Sequence, residues 1–235
     1  VLCRCTQPVT INDILSSPLR LAAEVARYAL FRTGMLSSGP FRTGLFACSS
    51  ASPGWPDLQV LFGPVGYKSV TEPFLPYSSF TMSACLLRPT SRGRVEIGSA
   101  DPFAPPKIQP DFLSTEDDRT LMIEAFKLGR RLLAQPSLAA YVAEEILPGP
   151  GCQTDAQVLE HVRETGSTVH HPVGTCGMGA DDLSVVDERL RVRGVGALRV
   201  ADGAIMPELI SGNTNAPIVM IAEKASDLIR EDLRA

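Results

Sequence analysis

Two adjacent histidines stand in the most unusual segment of the chain, residues 167–179, which reads STVHHPVGTCGMG. If this segment is extended, the side chains of His170 and His171 point to opposite faces, so only one of them can face a given pocket. Pro172 favours an extended backbone at His171. An imidazole can accept a proton near neutral pH. On this segment alone, however, a structural histidine beside a loop is the simpler interpretation.

A second unusual segment, residues 198–215, reads LRVADGAIMPELISGNTN. The pattern predicts a strand that ends at Asp202 and Gly203, followed by a loop that leads into the last helix. Gly203 would let the backbone contact an anionic group, although a plain Asp-Gly turn explains the same pair. Asn213 and Asn215 precede the helix, and each taken by itself is most simply an N-cap.

Other kinds of chemistry find no support in the sequence. No G-x-S-x-G motif is present, so a nucleophile of the α/β-hydrolase type is not expected. Gly194 and Gly196 resemble the start of a dinucleotide fingerprint, but Arg199 stands where the third glycine belongs and a strand pattern follows. We therefore predict a β-turn there.

Cysteine spacing and charge exclude further classes of protein. The six cysteines include no C-x-x-C pair, and the histidines lie far from Cys3 and Cys5, so we expect no metal site but free, mostly buried thiols in a reducing compartment. A net charge of −4 argues against binding to nucleic acid. No charge-free run is long enough for a transmembrane segment, and a cytoplasmic location is favoured.

The elements around these segments indicate an α+β fold, with an antiparallel sheet backed by helices. A capping signal at Ser114 or Thr115 and another at Thr154 predict two helices, over residues 115–134 and 155–163. Apolar spacing predicts two more, over 19–31 and 215–233. Strands are predicted at 58–62, 80–87 and 94–98, with the last two forming a hairpin around a turn rich in proline and glycine.

The two unusual segments, taken together, resemble a known family. Three blocks are similar in residues, order and spacing to the C-terminal signature of the glucose-methanol-choline (GMC) flavin oxidoreductases. In chain order they are STVHHPVGTCGMG, VVDERLRVRGVGALRVADGAIMP and SGNTNAPIVMIAEKASDLI. The resemblance is specific over residues 167–230 and continues more loosely upstream. It implies oxidation of a small alcohol to an aldehyde or ketone, with FAD as cofactor.

The resemblance also assigns catalytic roles. His171 matches the family's catalytic histidine, and Asn215 is matched to its second catalytic position, which holds His or Asn. In the implied reaction His171 takes the hydroxyl proton while a hydride passes from carbon to flavin N5, and the amide of Asn215 donates a hydrogen bond to the developing alkoxide.

Five further residues match positions near the flavin. His170 matches a residue that lies against the ring. Asp202 and Gly203 match a strand-end pair near the pyrophosphate and ribityl chain. Ala216 and Pro217 match the helix start beside the pyrimidine ring, where the positive end of the helix dipole would stabilise a reduced flavin.

The family's N-terminal G-x-G-x-x-G unit has no counterpart in this sequence. We therefore expect residues 1–165 to form a substrate-binding region and residues 166–235 a C-terminal catalytic segment. This segment would complete an FAD-binding domain whose N-terminal half is supplied as a partner, and the chain alone should bind FAD weakly. The alternatives are a catalytically silent fragment or partner-binding module and, less favoured, an activity of the hydroxynitrile-lyase type. The sequence shows no pattern typical of an acidic cage or an aromatic box for a quaternary ammonium group, so choline itself is not favoured.

Overall fold

A computed structural model describes residues 1–69 and 72–234 of the chain. Two compact units are present, one formed by Val1–Leu86 with Arg119–Ser167 and the other by Leu87–Asp118 with Thr168–Ala235. The strands, in chain order, are β1 (Leu2–Cys5), β2 (Thr43–Ala47), β3 (Leu58–Gly63), β4 (Ser79–Leu86), β5 (Arg94–Glu96), β6 (Lys107–Gln109) and β7 (Val142–Leu147). The helices are α1 (Ile11–Leu15), α2 (Pro18–Phe31), α3 (Glu116–Leu133), α4 (Pro136–Ala139), α5 (Asp155–Thr165) and α6 (Asn215–Asp232).

The first unit is built on a five-stranded antiparallel sheet with the strand order β2-β3-β4-β1-β7. Residues of the central strands, among them Cys3, Val60 and Phe80, form a buried cluster in which Leu133 of α3 also packs. Side chains of one sheet face thus form a core with a helix. The predicted α+β class, an antiparallel sheet backed by helices, is confirmed.

The second unit contains the two-stranded ribbon β5-β6, a largely irregular segment that follows α5, and the long helix α6. Its core joins the irregular segment to one face of the helix. The buried members are Val186, Leu190, Ile205, Met206, Ile221, Ala225 and Leu228.

The helix predictions are confirmed, and two of the helices begin at the capping signals that predicted them. Thr154 Oγ1 accepts a hydrogen bond from the N–H of Gln157 at 3.3 Å, and Gln157 Oε1 accepts one from the N–H of Thr154 at 2.9 Å. This reciprocal pair starts α5. Thr115 Oγ1 accepts from the N–H of Asp118 at 3.3 Å and starts α3. The four predicted helices correspond to α2, α3, α5 and α6.

The predicted hairpin between residues 80–87 and 94–98 is wrong. Both edges of β4 are already paired, with β3 on one side and β1 on the other, so β5 pairs instead with β6. The strand that was expected to end at Asp202 and Gly203 is reduced to a single antiparallel bridge between Arg191 and Arg199. The β-turn between them is confirmed, with Gly194 at φ 77°.

The division of the chain into residues 1–165 and 166–235 remains a prediction about function. The compact units follow it closely at its boundary, since one unit ends at Ser167 and the other resumes at Thr168. They depart from it upstream, because residues 87–118 belong to the same unit as the C-terminal segment.

All six cysteines are free, but only Cys3, Cys5 and Cys152 are buried, so the expectation of mostly buried thiols holds for half of them. Burial raises the pKa of Cys3 to about 12, which makes this thiol unreactive. Within the described residues no helix is both long enough and apolar enough to span a membrane.

Candidate active site

The segment that carries His171 is held by the backbone of another part of the second unit. The N–H groups of Gly174, Cys176 and Met178 donate to the carbonyl oxygens of residues 203–205, at 3.2, 2.8 and 2.8 Å. Ile205 is only 4% exposed and packs in the core of that unit. The segment that follows His171 is therefore tied to a buried turn.

Helix α6 brings a second group to the same place. Its buried residues Ile221, Ala225 and Leu228 follow helical spacing and form one face. Extending that face toward the N-terminus by one heptad leads to Thr214, which is 3% exposed. Thr214 therefore lies on the same buried face as these residues, although Thr214 precedes the first residue of the helix.

His171 lies between two polar side chains from the start of α6. Its Nδ1 is 3.0 Å from Thr214 Oγ1, and its Nε2 is 2.9 Å from Asn213 Nδ2. An amide nitrogen only donates, so in this arrangement Nε2 accepts from Asn213, while the hydroxyl of Thr214 can accept from or donate to Nδ1. The half-buried imidazole thus has a hydrogen-bonding side chain at each of its two ring nitrogens.

His170 adopts a left-handed backbone conformation, with φ 62°. The strict alternation of the two histidines that an extended segment would give is therefore absent. The N–H of His170 donates to Thr168 Oγ1 at 2.9 Å, and its side chain is exposed. A non-glycine residue in this region costs about 1–2 kcal/mol, and such residues cluster at functional sites.

Asp202 and Gly203 form an Asp-Gly turn, which is one of the two interpretations of this pair that the sequence allowed. The carboxylate of Asp202 accepts from the N–H of Ala204 at 2.7 Å. Gly203 is buried, and a Cβ there would lie 3.0 Å from Ile218 and 3.2 Å from Val173. The absence of a side chain allows the turn, α6 and the His171 segment to pack together. A contact of this pair with a cofactor remains a prediction.

Asn215, Ala216 and Pro217 form the first turn of α6, where a proline is tolerated. The N-cap is Thr214, so the N-cap interpretation of Asn213 and Asn215 is wrong. Thr214 makes no capping hydrogen bond with its side chain, and the first turn holds no acidic residue. Asn215 and Ala216 are exposed. The positive end of the helix dipole is therefore open to a negatively charged group.

The loop after the His171 segment is closed by two carboxylates. Asp187 accepts from the backbone N–H groups of Arg189 and Arg191, both at 2.9 Å. The bond from the N–H of Arg191 is the main reason why the pKa of Asp187 lies below its ordinary value. Asp181 accepts from the hydroxyl of Ser184 at 3.0 Å, and this bond is the main reason why its pKa is also lowered. Both carboxylates stabilise the turns of this loop.

Sequence reasoning missed the two residues that contact the His171 ring, Asn213 and Thr214. One signal was available: Thr214 precedes the buried Ile221 by seven residues, a spacing that returns to the same helix face. The structure brings Asn213, rather than Asn215, to Nε2. The catalytic role assigned to Asn215 remains a prediction.

Comparison with known proteins agrees with this architecture. Residues 89–222 match the family model of the GMC oxidoreductases. The chain is 42% identical over 229 residues to an alcohol dehydrogenase [acceptor] of Pseudomonas putida, covering 97% of this chain and 42% of that protein. It is 39% identical over 229 residues to an oxygen-dependent choline dehydrogenase of Vibrio vulnificus (strain YJ016), covering 96% of this chain and 40% of that protein.

Solved structures show the same fold. A pyridoxine 4-oxidase from Mesorbium loti superposes with a TM-score of 0.75 at 29% identity, covering 82% of this chain and 38% of the other. A formate oxidase from Aspergillus oryzae RIB40 gives a TM-score of 0.90 at 23% identity, covering 98% and 45%.

The chain spans about two fifths of the length of the curated relatives it matches. GMC oxidoreductases are FAD-dependent enzymes, and the resemblance found in the sequence is confirmed. With the family model covering more than half of its residues, the chain belongs to the GMC oxidoreductase family.

Proposed function

We propose that this chain carries the proton-accepting part of the active site of an FAD-dependent enzyme that oxidises an alcohol to an aldehyde or ketone. One observation carries the proposal: the His171 ring is fixed by Thr214 at Nδ1 and faces an amide, Asn213, at Nε2. An imidazole with one nitrogen anchored and the other facing a hydrogen-bond donor suits the removal of a hydroxyl proton.

In this proposal the substrate hydroxyl binds at Nε2 of His171, in the position that the amide of Asn213 occupies at 2.9 Å. The exposed Asn213 side chain moves aside and donates its N–H to the substrate oxygen. As the O–H bond breaks, Nε2 takes the proton, and the charge that develops on oxygen is stabilised by the amide. The hydroxyl of Thr214 keeps its contact with Nδ1 throughout.

The residues proposed to hold FAD are His170, Asp202, Gly203, Ala216 and Pro217. The open N-terminus of α6 fits this cofactor, because its first turn lacks acidic residues and its helix dipole favours negative charge. When bound, FAD supplies the two-electron acceptor, with the carbinol hydride passing to N5. The proton on Nε2 and this hydride together balance the conversion of CH–OH to C=O.

Asn213 and Asn215 are both candidates for the amide that contacts the substrate oxygen. The 2.9 Å contact with Nε2 favours Asn213. Asn215 stands two residues further on, at the first position of α6, where its side chain is exposed. We propose Asn213 for the hydrogen bond to the alkoxide and keep Asn215 as the competing assignment that mutagenesis can decide.

The activity is proposed for the whole enzyme, in which an N-terminal FAD-binding half joins this chain. The relatives are more than twice as long as the matched region, which supports a need for further contacts to FAD. Titration of the purified chain with FAD, followed by flavin fluorescence, is expected to show weak binding or none. Tight stoichiometric binding would contradict this part of the proposal.

The function itself is tested by mixing the FAD-loaded enzyme with primary alcohols, choline included, without oxygen. Loss of the oxidised flavin absorbance, with one carbonyl product per flavin, is the expected result. Cleavage of a cyanohydrin without net flavin reduction would favour the lyase alternative instead. An enzyme that binds FAD but turns over neither class of substrate would favour the silent module.

A further inference from the structure

The amide proposed to contact the substrate oxygen, that of Asn213, lies in a loop of residues 207–213 that leads into α6. The two residues that flank this loop, Met206 and Thr214, are buried. Gly212, directly before Asn213, has open space where a side chain would stand. Because glycine leaves the backbone wide freedom, the position of Asn213 depends on what else holds the loop.

The side chain of Arg88 contacts this loop from a distant part of the same unit. Its Nε donates to Oγ of Ser211 at 2.8 Å, across 123 residues of sequence. The donor is charged, so this hydrogen bond is stronger than one between neutral groups. Ser211 and Asn213 are two residues apart, so their Cα atoms lie at most about 7 Å from each other. A hydrogen bond at Ser211 therefore restricts the backbone of Asn213.

The segment that carries Arg88 is itself fixed on both sides. Leu87, the residue before it, is buried. On the other side, the N–H groups of Thr90 and Ser91 donate to the buried carboxylate of Asp118 at 2.8 and 2.9 Å. The side chain of Arg88 thus extends from a well-held backbone, and its contact with the serine joins the loop to that backbone.

We infer that Arg88 is a positioning residue that holds the loop through Ser211, so that the amide of Asn213 stays within reach of the substrate oxygen. The inference rests on the proposed function, which gives Asn213 the hydrogen bond to that oxygen. In the proposed reaction the asparagine side chain rotates away from Nε2 of His171 toward the substrate, and a fixed backbone keeps it close while it does so. A donor stabilises developing charge best when it is oriented beforehand.

Two single variants break this contact from opposite sides. Ser211→Ala removes the acceptor and keeps the positive charge, whereas Arg88→Ala removes both the donor and the charge. Ser211→Thr keeps the hydroxyl. Arg92→Ala is a matched control, because Arg92 lies in the same segment but donates to the carbonyl oxygens of Pro89 and Ser91.

The first measurement is the limiting rate of flavin reduction by an alcohol in the FAD-loaded enzyme, with FAD content and thermal midpoint recorded for each variant. We expect Ser211→Ala and Arg88→Ala each to slow this step about 10-fold, because one hydrogen bond to a charged group shifts a population by about that factor. The double variant should be no slower than either single variant, since both remove the same contact. Ser211→Thr and Arg92→Ala should stay near the wild-type rate. A wild-type rate in Ser211→Ala overturns the inference, even if Arg88→Ala fails to fold.

The second measurement repeats Ser211→Ala in the background of Asn213→Ala. If the contact acts through the amide, its loss cannot slow the reaction further once the amide is gone. We therefore expect no additional effect in this background. The same 10-fold loss in both backgrounds overturns the inference, because a general effect on folding or on the charge near the site would not depend on Asn213.

A third measurement does not depend on activity. It follows the side-chain amide of Asn213 by NMR in the intact enzyme with ¹⁵N-labelled asparagine, where the signal is identified by its loss in Asn213→Asp. The order parameter of this amide is expected to fall in Ser211→Ala and to keep its wild-type value in Arg92→Ala.

The two proposals can fail separately. Alcohol oxidation at an unchanged rate, with an unchanged order parameter, in Ser211→Ala would refute the role of Arg88 and leave the proposed function standing. A lower order parameter in an enzyme that oxidises no alcohol would refute the proposed function, while the role of Arg88 in holding the loop would still be supported.

Discussion

Replacement of Asn213 by alanine should impair the chemical step strongly and the fold hardly at all. The side chain is exposed, and its amide lies 2.9 Å from the nitrogen proposed to take the substrate proton. A donor aimed at an oxygen that gains negative charge typically contributes about 10²- to 10³-fold to the rate. We expect flavin reduction in Asn213→Ala to slow by about 100-fold, which corresponds to about 2.7 kcal/mol of transition-state stabilisation.

The assay is stopped-flow flavin reduction by an alcohol without oxygen, with FAD content and thermal midpoint measured for each variant. Asn213→Asp has almost the same shape but replaces the donor by an anionic acceptor, so it should be slower still. Asn215→Ala decides between the two asparagines. A 100-fold loss in Asn215→Ala together with near-normal rates in Asn213→Ala would refute the reasoning from the 2.9 Å contact and restore the assignment made from the resemblance.

Two further predictions concern the stability of the second unit. Burial would by itself raise the pKa of Asp118, but hydrogen bonds from residues 90–91 hold it below its ordinary value. Its contribution to stability is therefore present above the unfolded-state pKa of about 3.9 and is lost as pH falls through the folded-state pKa. In urea unfolding, Asp118→Asn should cost about 2 kcal/mol at pH 7, with the gap from wild type closing below about pH 4; a gap that does not depend on pH would contradict this. Gly203→Ala places a Cβ 3.0 Å from Ile218 and 3.2 Å from Val173, and should destabilise the protein by about 1–3 kcal/mol through overpacking; an unchanged thermal midpoint would show that Ile218 yields without cost.

Helices were predictable where a local rule sets their ends. The capping pairs at Thr115 and Thr154 act over three residues, and α3 and α5 begin where these pairs indicate. Strand pairing was not predictable in the same way. The hairpin failed because the partners of β4 were already set by strands distant in sequence, β1 and β3.

The candidate site shows the same contrast. His171 and the sequence motif around it are sufficient to indicate the family. The groups that contact its ring, Asn213 and Thr214, lie 42 and 43 residues further along the chain. They reach His171 because the buried face of α6 fixes the rotation of that helix, and that rotation is set by tertiary packing.

The central claim, that His171 removes the substrate proton, is tested most directly by His171→Ala in the FAD-loaded enzyme. Loss of a general base should slow flavin reduction by alcohol about 10²- to 10⁴-fold, with FAD still bound and with partial recovery when imidazole is added. Flavin reduction at the wild-type rate in that variant would contradict the account.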